Sequence, residues 1–514
     1  MAETKLSDRT HPAFDDNEVL WNLYFDSAKG GKGFAEEQLF THRLEDSTDF
    51  SERKDRAYYL NFCDTLPTIY NSYIFRNEIS RKPDEALEEF RKNVDGKGTT
   101  IGDFVKKVGY YSSIYGVCHA IVDIPSSTKS GKTSKLDVKR DNLYPYVRII
   151  HPTQLKDWSV DDFGKFEWVI IESDYYKDKD PLQEREIVKC FKLITRDKWE
   201  IVDEDGKPIS FDDGTPNSGT NSLGFVPIIT MYHKNSDEDD KVGESMLKDI
   251  VYINIIILNW CSLIDEQLAR NCFSQLIIPD KGEIAEAVKA GNVNPLVTIG
   301  STSAFTFDGD SNHPPAFISP DTDSIVTIWK MISDHIKEMY RLSGLLSGTS
   351  DLYSPTSGRA SQFGFLSTNA ALAEKSLSYQ TFENKLSEIA YVQLGKTPEE
   401  YESVHYPTSF DLTTLDEELA SFMKIMEKNF SPLLNKTIQK DIARKSVPLA
   451  PTSIRETIES EIDASDGIVG GTQSEEDIVV KDDGSGNPDL SRLSNVHKTT
   501  DSKDKQVSEH RTQE

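Results

Sequence analysis

The sequence predicts an α+β chain with helices first, a mostly antiparallel sheet second and a largely helical remainder. Three observations carry that expectation. Residues 12–116 place apolar side chains at helical spacing between capping residues and glycines. Residues 119–233 switch to short β-branched and aromatic runs separated by turn signals. Beyond 245 lie two long proline-free stretches, 245–270 and 360–394, each long enough for a helix of many turns. A chain of 514 residues has room for about three domains and a sizeable core.

Taken in order, Val19, Leu20, Leu23 and Tyr24 fit one short helix that Gly30 and Gly31 end. Residues 53–79, rich in tyrosine, read as helix bent or restarted at Pro67. Residues 84–94 and 100–116 give two more helices, the second capped by Thr100 with Asp103 three residues on. Strands are expected in HAIVDIP (119–125), YPYVRII (144–150), FEWVIIESD (166–174), IVKCFKLIT (187–195) and KWEIV (198–202). Arg196-Asp197 makes a tight connection, and Asp205-Gly206 is a hairpin turn signal. Residues 212–223 read as a flexible loop and GFVPIITMYH (224–233) as a further strand, so residues 1–235 form the α+β part.

The stretch 245–270 reads as helix. Ile250, Ile253, Ile257, Cys261, Ile264 and Leu268 share one face, and Val251, Ile255 and Leu258 make the opposite side apolar too. Such a helix needs burial on several sides. Short strands, turns and a small helix fill 273–319. Asp323 then caps a helix striped by Ile325, Ile328, Trp329, Ile332, Ile336, Met339 and Tyr340 and ended by Gly344. Residues 344–359 are a Gly/Ser loop. A helix from about Ala360 to Leu394 follows, spanning roughly 50 Å and stopped by Gly395. Its first half is crowded with Ser361, Gly364, Ser367, Ala370, Ala371 and Ala373, small residues that permit close approach of another backbone. Residues 403–412 read as a short strand. Helices are expected at 415–429, 431–445 and 452–462. From Glu459 to Glu514 there are 14 acidic and 6 basic residues with few apolar ones, a composition too poor in apolar surface to order itself.

Charge and motifs exclude several classes. With 58 Lys+Arg against 86 Asp+Glu, net −28, a tight groove-reading nucleic-acid binder is not expected. An acidic wall suits either solubility or a surface along which DNA slides without sticking. Cys63, Cys118, Cys190, Cys261 and Cys272 are odd in number and widely spaced, which reads as reduced thiols. The opening MAETKLSDRTHPAF has no apolar leader run. The apolar run 250–264 is short and carries Asn254, Asn259 and Ser262, so no membrane segment is expected. Ser130-Gly131-Lys132-Thr133 ends like a P-loop, but Ser126 stands where the motif needs glycine. Asp203-Glu204-Asp205-Gly206 hints at a calcium loop, but Ile201 stands where that pattern wants an acid. GxSxG and HExxH are absent and the histidines are scattered, so no enzyme activity, cofactor or metal is expected.

The order of these pieces resembles the portal proteins of tailed double-stranded DNA bacteriophages, with their wing, stem, clip, second stem, tunnel loop and crown. The segments that carry the likeness are HPTQLKDWSVDDFGKFEWVIIES (151–173), NCFSQLIIPDKG (271–282), LVTIGSTSAFTFDGD (296–310), IKEMYRLSGLLSG (336–348) and SGRASQFGFLSTNAALAEKS (357–376). It covers roughly residues 10–460 and rests on architecture rather than on a signature motif. The resemblance implies a wing at 1–244 and 361–430, stem helices at 245–272 and 320–343, and a clip at 273–319. It implies a tunnel loop at 344–360, a crown with an acidic tail at 431–514, and a portal fold of α+β wing, helical stem, small α/β clip, long tunnel helix and helical crown.

What it implies of function is a dodecameric homo-oligomer at one capsid vertex of the virion, assembled in the host cytoplasm. Its partners would be the major capsid protein, the scaffolding protein, the large terminase, the head–tail adaptor and the double-stranded DNA passing through. Ser347, Thr349, Ser350, Tyr353 and Ser357 would then touch passing phosphates and Arg359 would lie near DNA or cap the loop against a carboxylate; the alternative for the group is an ordinary solvent loop. Lys330 and Lys337 are candidate channel charges or plain surface charges. Ile250, Ile253, Ile257, Trp260, Ile264, Trp329, Ile332 and Ile336 are candidate subunit contacts, and Phe305, Phe307, Asp308 and Asp310 candidate adaptor contacts. The alternatives are another phage capsid, tail or baseplate component, and a soluble hydrolase with its site in the β-rich part.

Overall fold

Helical spacing decides how the chain begins to pack. In a computed structural model, helix α1 (Pro12–Lys29) buries Phe14, Trp21, Tyr24 and Ala28, which recur every three, four or seven residues and so share one face. His11 caps the helix, its Nδ1 accepting from the Ala13 N–H at 3.1 Å. The helix is longer than expected, and of its expected apolar residues Tyr24 is buried and Leu20 and Leu23 pack against the core while Val19 is 76% exposed, because the larger Phe14 and Trp21 take the core side.

The structure describes residues 5–124, 144–176, 187–211, 216–235, 241–271, 275–280, 286, 289–290, 304–308, 316–318, 323–345, 358–397, 401–410, 415–447 and 450–465. The chain divides into two compact units, Met1–Asp411 and Leu412–Glu514. Among the described residues it is a mixed α+β protein of twelve α-helices, with antiparallel sheets of three and five strands as its larger sheets.

In the first unit α1 is followed by α2 (Gly31–Glu37), α3 (Ser47–Arg56), α4 (Phe62–Ile74), α5 (Glu88–Lys92) and α6 (Ile101–Tyr115). The helical run expected at 53–79 breaks at 57–61 and not at Pro67, which lies buried inside α4. Asn61 starts α4 by accepting from the Asp64 N–H at 3.0 Å, and that cap, rather than the proline, fixes the boundary. Thr100 caps α6 as expected, with the Asp103 N–H donating to Thr100 Oγ1 at 3.3 Å.

Strand β1 (Val117–Asp123) runs through the centre of a three-stranded sheet, between β2 (Tyr146–Ile150) and β8 (Ile228–Tyr232). Its residues Val117–Val122 are all buried, as a strand covered on both faces must be. The second sheet is an antiparallel meander of β3 (Leu155–Val160), β4 (Phe166–Tyr176), β5 (Ile187–Thr195), β6 (Lys198–Val202) and β7 (Ser218–Thr220). The last of these was expected as loop. Its three residues pair with Lys198–Glu200 and close the edge. A two-residue pair, β9 (Lys234–Asn235) with β10 (Gly243–Glu244), leads out of the sheets.

Helix α7 (Ile250–Asn271) comes next, then β11 (Gln275–Asp280), β12 (Ala304–Asp308) and β13 (Ala316–Ile318). Strand β11 pairs in parallel with β12 and antiparallel with β13. The small helix and the LVTIG strand expected between β11 and β12 lie almost wholly outside the described residues. Helix α8 (Asp323–Leu342) ends at Gly344, which has φ +78°. The Leu345 N–H reaches Tyr340 O at 3.0 Å and the Gly344 N–H reaches Arg341 O at 3.1 Å, a Schellman close. Helix α9 (Gly358–Gln393) ends in the same way at Gly395, φ +74°.

Of the stretch 403–412 expected as a strand, residues 403–410 are described and are not one. Only Ser80 and His405 form a bridge there. The rest of its backbone is held by side chains of α9: Asn369 Oδ1 accepts from Phe410 N at 3.0 Å, Gln380 Oε1 from Tyr406 N at 3.0 Å, and Asn384 Oδ1 from Val404 N at 2.7 Å. Residues 369, 380 and 384 recur at helical spacing, so one helix face supplies the ladder that a neighbouring strand would. The second unit contains α10 (Leu415–Glu427), α11 (Pro432–Ser446) and α12 (Thr452–Ala464). Helix α10 lies with α11 and α12 in this unit. The acidic tail beyond 465 lies outside the described residues.

Asn254 on α7 holds two backbone groups at once, Leu60 O at 2.8 Å and Phe62 N at 3.0 Å. Asn254→Ala strands both, and should lower unfolding free energy by roughly 2–4 kcal/mol in urea titration.

Candidate functional site

Helices α7 and α8 pack side by side and are antiparallel. Asn254 holds Phe62, whose ring meets Tyr340 edge-on at 6.4 Å. Further along α7, Trp260 meets His335 edge-on at 4.8 Å. Moving forward on α7 therefore moves backward on α8. Strands β11–β13, which connect the end of one helix to the start of the other, lie by connectivity at the far end of this hairpin.

The polar residues inside α7 explain how an almost wholly apolar helix is oriented. Asn259 accepts from Phe40 N at 2.7 Å and donates to Gln38 O at 3.0 Å. Ser262 accepts from Arg53 Nη1 at 3.1 Å. The same buried guanidinium grips the Glu45 carboxylate with two bonds, at 2.6 and 2.7 Å, and Phe40 O at 2.6 Å. The Arg53 hydrogen bond holds the Glu45 carboxyl below its ordinary range. These groups fasten the segment 38–45 along one flank of α7. Tyr252, Ile256 and Leu263 stay exposed beside it on a common face.

The residues expected at subunit contacts divide sharply. Ile250, Ile257, Ile264 and Ile332 are buried in the chain's own core. Ile253, Trp260 and Ile336 are half-buried against that core, while Trp329 is 57% exposed on α8. The apolar circumference of α7 is thus met mostly from within one chain. The large apolar side chains that stay exposed are Tyr252, Ile256, Leu263 and Leu268 on α7 and Val326, Trp329, Met331 and Leu342 on α8.

Lys330 is exposed on the polar side of α8, and Lys337 lies 3.6 Å from the Asp334 carboxylate one turn away. Ser347, Thr349, Ser350, Tyr353, Ser357 and Asp310 lie outside the described residues, as does the Ser130–Thr133 segment. Arg359, expected in the loop, is the second residue of α9. Phe305, Phe307 and Asp308 pair with Ile277, Pro279 and Asp280 in the parallel β12–β11 ladder.

Sequence reasoning missed a buried polar centre where α9 crosses α6. Lys375 is 3% exposed, and its Nζ donates to Ser112 Oγ at 2.7 Å. Burial pushes the amine down to about 7. Ser112 Oγ in turn donates to Gly109 O at 2.9 Å. One turn along each helix, Tyr379 fills the space over Gly109, where a Cβ would collide with the ring. The Tyr379 hydroxyl donates to Asn71 Oδ1. Further along α9, Arg81 grips the fully buried Glu383 at 2.6 and 2.9 Å. The only trace in the sequence is a lysine among small residues on a helix, which reads as a surface charge.

A neutral lysine beside a serine hydroxyl is the donor set of a Ser–Lys nucleophile pair. Here Ser112 is fully buried and its proton is committed to Gly109 O, so no acyl group reaches it. Asp203, part of the calcium-like run, spends its carboxylate on the N–H groups of Asp205 and Lys207 at 2.9 and 2.8 Å. Among the described residues no group of three or more His, Cys, Asp or Glu is placed to hold a metal. No helix among them is long and apolar enough to cross a membrane. Cys63, Cys118, Cys190 and Cys261 are buried free thiols.

A scan against protein-family models and a search of curated proteins found no match to the chain.

Two substitutions separate core from surface on the hairpin. Ile257→Asp puts a charge into the core and should unfold the subunit itself, costing on the order of 4 kcal/mol or more. Trp329→Glu should leave the circular dichroism spectrum unchanged and shift stability by no more than about 1 kcal/mol.

Proposed function

We propose that this chain is a portal subunit of a tailed double-stranded DNA phage, one copy in a ring at a capsid vertex through which DNA is packaged and ejected. The observation that carries the reading is the antiparallel α7/α8 hairpin, with a small mixed sheet at its far end and a Gly/Ser segment leading from α8 into the long helix α9. That is the order stem, clip, stem, tunnel loop and tunnel helix. The exposed Trp329 and Val326 on α8 and the stripe Tyr252, Ile256 and Leu263 on α7 are the apolar groups that a neighbouring copy would cover. Net charge of −28 suits a passage that DNA slides through without adhering. In this reading β11–β13 meet the large terminase during packaging and the head–tail adaptor afterwards. The major capsid and scaffolding proteins surround the first unit.

Mass photometry and negative-stain imaging of the purified chain test the reading. Closed rings of about a dozen copies with a central opening are expected. A monomer that stays monomeric with scaffolding and capsid proteins present overturns it, and leaves another structural component of the particle as the reading to pursue. Deleting residues 347–357 should leave the rings intact and reduce packaged DNA, measured as nuclease-protected DNA per particle. Protection equal to wild type removes the channel role from that segment.

A further inference from the structure

The contact between α6 and α9 consists of two adjacent pairs. Tyr379 lies over Gly109, and one turn away Lys375 reaches Ser112. The first pair sets the spacing. A Cβ on residue 109 would stand about 2 Å from the hydroxyl end of the Tyr379 ring, so only glycine leaves room for that side chain to lie across α6. The second pair is buried at that spacing, with one hydroxyl as the amine's hydrogen-bond partner. An ammonium needs three acceptors or a counter-charge.

The titratable groups that face the amine supply no such charge. Strand β1 brings Cys118, whose thiol burial pushes up to about 12. The residue after β8 is His233, which burial and Lys375 itself hold well below its ordinary value. Helix α4 brings Tyr70, pushed up to about 12 by burial. All three are neutral near pH 7. On α9 itself, Tyr379 is a neutral phenol with its ring 5.7 Å from the amine, Glu374 is exposed, and Glu383 is committed to Arg81. Helix α6 offers the Ser112 hydroxyl alone at this point.

We propose that the α6–α9 crossing is a proton-operated joint, closed while the Lys375 amine is neutral and loosened when that amine takes up a proton. The seat lies just beyond the turn that fastens α9 to the end of α8, where Thr368 Oγ1 donates to Gly344 O at 2.8 Å. Loosening it frees the helix that continues directly from the Gly/Ser segment. The joint does not depend on the portal reading, since every group in it belongs to one chain.

The sign follows from the amine being held down to about 7 in the fold against 10.5 as its ordinary value. Between those two values the unfolded chain carries a proton that the folded chain lacks, so stability falls as pH drops from 10.5 towards 7. Below about 7 the folded protein itself carries the charge, and the joint opens.

Amide hydrogen exchange of the purified full chain at pH 8 and pH 6, corrected for intrinsic rates, reads this directly. In the wild type, residues 109–113 and 372–379 should lose protection by about tenfold more than the β3–β6 meander does. Lys375→Met, close in volume and uncharged, should abolish that difference. Lys375→Leu serves the same purpose should the first variant not fold. Ser112→Ala keeps the amine but removes its acceptor, and should move the transition to lower pH. The same local loss of protection in wild type and in either Lys375 variant overturns the proposal, as does wild-type exchange at these residues that does not change between the two pH values.

Discussion

Much of the first unit depends on how the Tyr379 side chain of α9 lies across α6 at Gly109, where a single methyl group would strike its ring. That contact seats Tyr379 of α9 on the α6 backbone and presents the other faces of α9 to the rest of the unit. Leu372, Phe382, Leu386 and Ala390 then enter the core beside Val117–Val122 of β1. Asn369, Gln380 and Asn384 face the segment 404–410 and bind its backbone. Glu383 meets Arg81 from the segment after α4. A wider spacing would leave several of these polar groups buried without partners, at roughly 1–3 kcal/mol each. The helix is therefore held in one register by polar contacts as much as by apolar ones.

Helix α7 follows the same rule. Its apolar surface would fit a core in many rotations, because nearly every face is greasy. Asn254, Asn259 and Ser262 remove that freedom. Each satisfies groups on a different segment: Leu60 and Phe62, Gln38 and Phe40, and Arg53. Buried polar networks of this kind add specificity beyond their net stability, since a rotated helix leaves all of them unpaired. The result is a helix embedded in its own chain along most of its circumference, with Tyr252, Ile256, Leu263 and Leu268 its exposed large apolar side chains among the described residues.

This arrangement gives the portal reading a narrower form than the sequence offered. The hairpin α7/α8, the sheet at its far end and the segment running into α9 keep their order. What changes is the division of labour along the hairpin. Core residues such as Ile257 and Ile332 hold the subunit together, and an outer row that includes Val326 and Trp329 stays exposed, which the proposed ring would use between copies. A ring built this way would join subunits that are already folded. The lysine in the α6–α9 crossing lies on a different part of the same scaffold, midway along the helix that the Gly/Ser segment enters.

The sequence by itself determined whatever is closed within a few residues. Thr100 caps α6, and Gly344 and Gly395 end α8 and α9 at positive φ, because those hydrogen bonds join residues three to five apart. The pattern Asp-x-x-Gly-Lys makes the same turn twice. Asp161 binds the N–H groups of Phe163 and Lys165, and Asp203 those of Asp205 and Lys207. The alternation of short strands and the length of the late helices were legible for the same local reason. Tertiary structure alone decided that Trp21 rather than Val19 completes the buried side of α1, since both are apolar and only the partner's shape chooses between them. It decided that 404–410 lies along a helix, because its donors and acceptors are amide side chains on Asn369, Gln380 and Asn384. It also decided that Lys375 is an interior amine, since its burial comes from Ser112, Tyr379 and β1, groups either distant in sequence or ordinary on a helix surface. Contacts across hundreds of residues leave no local spacing to read, and the candidate site is made almost entirely of such contacts.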